Sequence, residues 1–287
     1  MPLFTIFIFA AVFIGAGVML APAWPTRQPR IALATTLAIA LVVGGTVFWA
    51  SAFGWNNLVI DYMLFALVSA IVLGGTLSQA QARAEARGEI LLDRDQGWPG
   101  PQDLVFFAII GLLFIIPAGA LSVPMGTDAQ GLGYFALMAR DGGGLNTLAP
   151  YHPEITYLYA PGMTALSAYL SLRLGQPMPA IQFGVGAVLG VLCVWLAYDL
   201  GAEIKNKKLG RAFALAMLGE FALFGLFLEG QFSAMMGVLF GLAFILYALR
   251  YQQHKMPADL VGAGLLFGAT VLANPNVAIA AILGFIG

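Results

Sequence analysis

The sequence predicts an all-α, polytopic membrane protein with about eight or nine transmembrane helices and a long extracytoplasmic loop that carries an interfacial helix. Three observations predict it. Of the 287 residues, 60% are hydrophobic and only 9% are charged, a balance that soluble domains do not reach. The apolar residues collect into runs close to the roughly 20 residues that cross a bilayer. The basic residues fall between those runs with a strong bias to alternate loops. A net charge of −1 says nothing useful about a nucleic-acid partner, and no basic tract suggests one.

Taken in order, the runs define the elements. Leu3–Pro22 has neither a basic leader nor a small-residue cleavage site before Pro22, so it reads as a retained span. Ile31–Phe53 and Leu58–Ser78 follow, the latter leading into the charged segment Gln79–Gly97, which reads as a surface helix. Together these make an N-terminal three-span region, residues 1–100, with a charged cytoplasmic segment. The membrane core, residues 101–287, opens with Leu104–Val123. It continues through Ala180–Leu200, Ala212–Leu228, Phe232–Tyr247 and Leu260–Leu272. A last apolar run after Asn276 is still in progress at Gly287, so the core reads as incomplete at its C-terminus.

The basic residues set the sidedness. Arg27, Arg30, Arg83, Arg87, Arg94, Lys205, Lys207, Lys208, Arg211, Arg250 and Lys255 account for 11 of the 13 lysines and arginines. They occupy four loops, which the positive-inside rule assigns to the cytoplasm. Only Arg140 and Arg173 remain for the other face. The fourth span leaves the cytoplasm and Ala180–Leu200 must return to it, so the apolar stretch Met163–Leu174 starts and ends outside. With about 12 residues it is too short to cross, and an interfacial helix fits it.

Chemistry is expected between Pro124 and Gly162. This stretch gathers Asp128, Arg140, Asp141, His152 and Glu154 with Tyr151, Tyr157 and Tyr159, and it is too long for a simple connector. Charged groups beside spans are functional candidates by default. The same parity places Glu229, in FLEGQFSAMMG, and Asn274 and Asn276, in LANPN, on that face. Asp128 has the chemistry of a general base, and also of a helix N-cap. Arg140, His152 and Arg173 are candidates to bind a phosphate, although Arg173 equally suits a headgroup contact. Glu154 and Tyr159 join them as candidate substrate contacts, and the three tyrosines also suit an interfacial aromatic belt. Asp61 reads as solvated at the outer interface, and Glu220 as a structural hydrogen-bonding group within the bilayer. Gly142–Gly144 lacks the strand and the Lys-Ser/Thr ending of a phosphate loop and reads as a hinge. Cys193 lies in an apolar run and reads as a small buried hydrophobe, with no disulfide available. His152 and His254 fall on opposite faces, so no histidine metal cluster is expected.

Four stretches resemble the C-type membrane glycosyltransferases, which take sugars from polyprenyl-phosphate donors. TDAQGLGYFALMARDGG resembles the first-loop catalytic acid. YLYAPGMTALSAYLSLRLG resembles the proline-glycine start of an interfacial helix. VLGVLCVWLAYDLGAEIKNKKLGRAFALAMLG resembles the next span, basic turn and span, and FLEGQFSAMMGVLFGLAFILYALR places Glu229 where a second acid often stands. The resemblance runs over about residues 117–287 and leaves residues 1–100 unaligned. It implies inverting sugar transfer at the extracytoplasmic face of a bacterial plasma membrane, with Asp128 as base and Glu229 as its companion. The partners implied are membrane lipids, a polyprenyl-phosphate sugar donor and further membrane subunits. A divalent metal is compatible with the family but not required by this sequence, because Ala129 and Gln130 stand where a second adjacent acid is frequent. The extra spans and the single acid also suit a non-catalytic membrane subunit retaining this fold. A secondary transporter is the third reading, and no internal repeat supports it.

Overall fold

The computed structural model describes residues 2–24, 30–85, 101–121, 123–142, 144–145, 147–148, 151–156, 159–219 and 222–286. These form α1 (Pro2–Ala23), α2 (Ile31–Phe53), α3 (Asn57–Glu85), α4 (Pro101–Ala120), α5 (Thr127–Gly142), α6 (Gly162–Leu174), α7 (Met178–Ile204), α8 (Lys207–Gly219), α9 (Ala222–Glu229), α10 (Phe232–His254), α11 (Pro257–Ala273) and α12 (Pro275–Ile286). A short antiparallel hairpin, β1 (Thr147–Leu148) and β2 (His152–Thr156), joins α5 to α6. The chain is an all-α polytopic membrane protein in composition and layout. Among the described residues, α1, α2, α4, α7 and α10 are each long and apolar enough to cross a membrane.

Helices stand where the eight or nine spans were expected, but among the described residues the apolar parts of α3, α11 and α12 are shorter than the five helices just named, and two stretches differ in form. Ala212–Leu228 is not one straight helix: α8 and α9 meet at a 45° bend. α8 ends at Gly219, a residue whose low helix propensity suits a helix end. The stretch after Asp128 is helical rather than loop, because Ala129, Leu132, Ala136 and Ala139 make a buried stripe at helical spacing. Most of the charged segment Gln79–Gly97, together with Arg27, Gly143, Tyr157 and Glu220, lies outside the described residues.

Local chemistry sets the helix ends. Gly54 closes α2 at a φ of 74°, which an L side chain rarely adopts. The Asn56 side chain then accepts from the N–H groups of Leu58 and Val59 at 3.1 and 3.2 Å, capping α3. Asn274 does the same for α12, accepting from Asn276 and Val277 at 3.1 and 3.3 Å. Its place in the turn is therefore explained by capping.

The hydrophobic core runs continuously through the chain. Phe9 and Phe13 of α1 and Leu33 and Leu37 of α2 belong to the same buried cluster as Phe114, Phe183, Phe227, Phe240 and Leu266. α7 is its axis, packing against α1, α4, α8 and α10. The N-terminal helices α1 and α2 thus share one core with the remainder, while Ile60 and Leu64 of α3 pack with Val47, Ala139 and Ala165 in a second cluster. Bonds between distant elements mark two ends: Met125 meets Leu228 and Ser233 meets Ala273 at one, and Arg30 and Arg250 meet Glu203 at the other.

α6 matches the helix expected over Met163–Leu174, beginning one residue earlier. Gly175, at a φ of 60°, stops it, and its N–H donates to the Ser171 carbonyl. The expectation was a helix resting on the outer surface, yet nine of its residues are buried. It is enclosed by α2, α5, α7, α10 and α11. Small side chains permit this: Gly162 sits against the Leu272 backbone, and Ala165 and Ala168 are fully covered.

Candidate functional site

The two candidate acids come together. The segment before α5 lies directly on the turn after α9: the Met125 N–H donates to the Leu228 carbonyl at 3.1 Å. A side chain on Gly126 would strike the Glu229 carbonyl oxygen. Across the turn, Gly230 has a φ of +75°, and a Cβ there would come within 2.6 Å of Ala129 and 2.7 Å of Pro124. Both glycines are needed for the close approach. Below them Gln182 of α7 donates to the Ala129 carbonyl at 2.6 Å in a buried position, which fixes the first turn of α5 on the core.

Asp128 is the second residue of α5, in its first turn rather than ahead of it. A carboxylate there is favoured by the partial positive charge of the helix N-terminus. Its side chain is exposed, as is that of Glu229. Glu229 accepts from the Gln231 side-chain amide at 3.1 Å. Two solvent-accessible carboxylates therefore stand on facing turns, one held by an amide. Ser233, the second residue of α10, donates to the Ala273 carbonyl at 2.5 Å, and Gly237 packs on Asn274. The Asn274 turn thus joins the same end.

The other candidates have partners of their own. Arg140 is twelve positions along α5 from Asp128, about 18 Å at 1.5 Å per residue. Its guanidinium donates to Asp141 at 2.6 Å and 3.1 Å and to the Ser171 hydroxyl at 3.1 Å. The hydrogen bond from Arg140 holds the Asp141 carboxyl below the usual carboxylate range. Arg173 is paired with Asp61 and donates to the Asn57 carbonyl at 3.2 Å. Tyr169 donates to the same carboxylate at 2.8 Å. Burial, reinforced by that bond, pushes the tyrosine hydroxyl up to about 12, so it stays a donor at ordinary pH. His152 and Glu154 face each other at 3.0 Å on the exposed strand β2. Tyr159 packs on Phe135 of α5, ring centres 5.9 Å apart.

A second polar cluster, at the opposite end, did not emerge as a site in the sequence. Arg30 donates to Asp199 at 3.1 Å and to Glu203 at 2.6 and 3.0 Å. Arg250, fully buried, stands 3.6 Å from the other Glu203 oxygen. Nearby, the buried Asp103 accepts from Arg211 at 2.8 Å and from the Tyr198 hydroxyl at 3.0 Å. YDLGAE in α7 was the available signal, since two carboxylates four residues apart share one helix face. The cluster joins α2, α4, α7, α8 and α10.

No group of three His, Cys, Asp or Glu side chains among the described residues could hold a metal ion. Asp128 and Glu229 alone do not make a protein-built metal site. Cys193 is a buried free thiol whose sulfur lies 3.6 Å from the Met235 carbonyl. No protein-family model, curated protein or solved structure matches the chain.

Proposed function

We propose that the chain transfers a sugar from a polyprenyl-phosphate donor at the extracytoplasmic membrane face, with Asp128 as the base. The observation that carries this reading is the lock between the segment before α5 and the Glu229–Gly230 turn, which puts Asp128 and Glu229 on facing turns. Asp128 takes the proton from an acceptor hydroxyl as its oxygen attacks the anomeric carbon. The C–O bond to the polyprenyl phosphate breaks in line, and the configuration inverts. A base needs direct reach to the proton it removes, which an exposed carboxylate in the first turn of α5 has. Glu229, steadied by Gln231, orients the acceptor. The sidedness follows from the basic residues: the Lys205–Arg211 turn is cytoplasmic and the Asp128 end is not. Arg140 is too distant along α5 to touch a phosphate placed beside Asp128. We therefore assign the base and orienting roles alone.

The test is sugar transfer by the purified chain from a panel of lipid-linked donors. Asp128→Asn keeps the size of the side chain and removes the proton acceptor. It should lower transfer by about 10²–10⁴-fold, or roughly 3–5 kcal/mol of transition-state stabilisation, with melting unchanged. Near-normal transfer by Asp128→Asn excludes the mechanism. Failure of the wild-type chain on every donor favours the second reading, a non-catalytic subunit.

A further inference from the structure

A cavity of about 520 Å³ opens between α1, α2, α3 and the C-terminal half of α6. Phe9, Phe13, Leu41, Leu64 and Val68 make its walls, and charged and hydroxyl groups line it only at the end where Asp61, Tyr169 and Arg173 stand. From Asp61 to Val72 on α3 it extends about 17 Å at 1.5 Å per residue. That is close to half of a hydrocarbon core about 30 Å thick. The groove is therefore one leaflet deep and polar at the headgroup end.

Such a groove is filled in a membrane. Water finds no hydrogen-bonding partner against these walls, and an empty groove forfeits the dispersion contacts of every side chain lining it. The polar end selects the occupant. Arg173 and Asp61 are 40% and 36% exposed at the side chain, so both charges are accessible. Arg173 uses Nη2 on Asp61 and Asn57, leaving its remaining N–H groups directed elsewhere than this carboxylate. The pair is neutral overall, so a purely anionic head gains from the arginine and loses to the aspartate. A head with both a phosphate and a primary ammonium meets both charges favourably.

We infer that this groove binds one phospholipid of the phosphatidylethanolamine type, with an acyl chain along α1–α3, its phosphate on Arg173 and its ammonium on Asp61. The inference stands apart from sugar transfer. A polyprenyl phosphate carries no cation for Asp61, and the Asp128–Glu229 turns lie elsewhere on the bundle.

Native mass spectrometry of the full chain in mild detergent tests it, with phosphatidylethanolamine and phosphatidylglycerol of identical acyl chains supplied in equal amounts. The wild type should retain one phosphatidylethanolamine about tenfold more than phosphatidylglycerol, and Arg173→Gln should abolish the preference. Val68→Trp, which fills the groove from α3, should lose retention of both lipids at an unchanged melting temperature. Ala38→Phe does the same from α2 should the first variant misfold. An unmodified chain suffices for a third arm: a phosphatidylethanolamine with a diazirine in mid-chain should label α1 and α3. Equal retention of the two lipids, or labelling confined to other helices, overturns the inference. Displacement of the lipid by stoichiometric polyprenyl phosphate overturns it too, by giving the groove to a sugar donor.

Discussion

Glu203 accepts from Arg30 and stands beside Arg250, so one carboxylate serves two arginines from other elements. Removing one partner from a buried ion pair typically costs about 3–5 kcal/mol, because the remaining charge is left uncompensated. Glu203→Gln should therefore destabilise the chain by about that amount in a chemical-denaturation series in detergent. Unchanged stability would show that water reaches the cluster. The sequence does not display this cluster, because its bonds join residues 169 and 173 positions apart and each member alone reads as a span-end charge. Asp128 and Glu229 were legible for the opposite reason: polar residues in an apolar chain are conspicuous wherever the fold puts them. The Arg140–Asp141 pair carries a pH dependence of known sign. Asp141 is depressed in the folded state, so its contribution is present above the ordinary value of about 3.9 and is lost as pH falls through the folded value. Because the pair is largely exposed, screening keeps the effect small. The hydrogen-exchange protection factor at the C-terminal end of α5, corrected for the intrinsic pH dependence of exchange, should be flat from about pH 5 upward and fall only in stronger acid.

At the scale of elements, helix existence was readable and helix attachment was not. The apolar runs gave α2 to the residue and α1 to within one, and located α4, α7 and α10 with ends off by up to seven residues, because a bilayer-length run has few alternatives. α5 was expected within a long polar loop, and it contains Gly131, Gly133 and the start of Gly142–Gly144. The first two of these do not break it, and Gly133 lets Gln182 and Met178 of α7 come close. Its buried alanine stripe was the signal available. The hairpin β1–β2 is too short and too exposed to carry a pattern. α6 was legible in length, but its burial depends on α5 folding over it, which no local pattern reveals. The turn that holds the site depends on Gly230. Gly230→Ala combines a left-handed backbone with a clash on Ala129 and Pro124, and such strain costs about 1–3 kcal/mol. It should lower the melting temperature and reduce the sugar transfer proposed for Asp128. A silent Gly230→Ala would mean that the two turns are not locked together.

For the whole molecule, the polar groups separate into two ends joined by one hydrophobic core. The end with Arg30, Asp199, Glu203 and Arg250 ties the helices together. The other end presents open carboxylates on turns that pack tightly. Composition and loop charge made the two-ended layout readable, since each depends on sums over many residues. The sharing of one core by α1, α2 and α7 was not readable, because residues 1–100 carry no internal sign of their partners. The central claim is that Asp128 and Glu229 share the face opposite the Lys205–Arg211 turn. Single cysteines at Thr127, Gln231 and Asn206, each in a Cys193→Ala background, test it most directly through an impermeant thiol reagent applied to intact cells. The account predicts labelling at positions 127 and 231, and labelling at 206 only after the membrane is broken. Labelling of 206 on intact cells, or protection of 127 while 231 reacts, would contradict it.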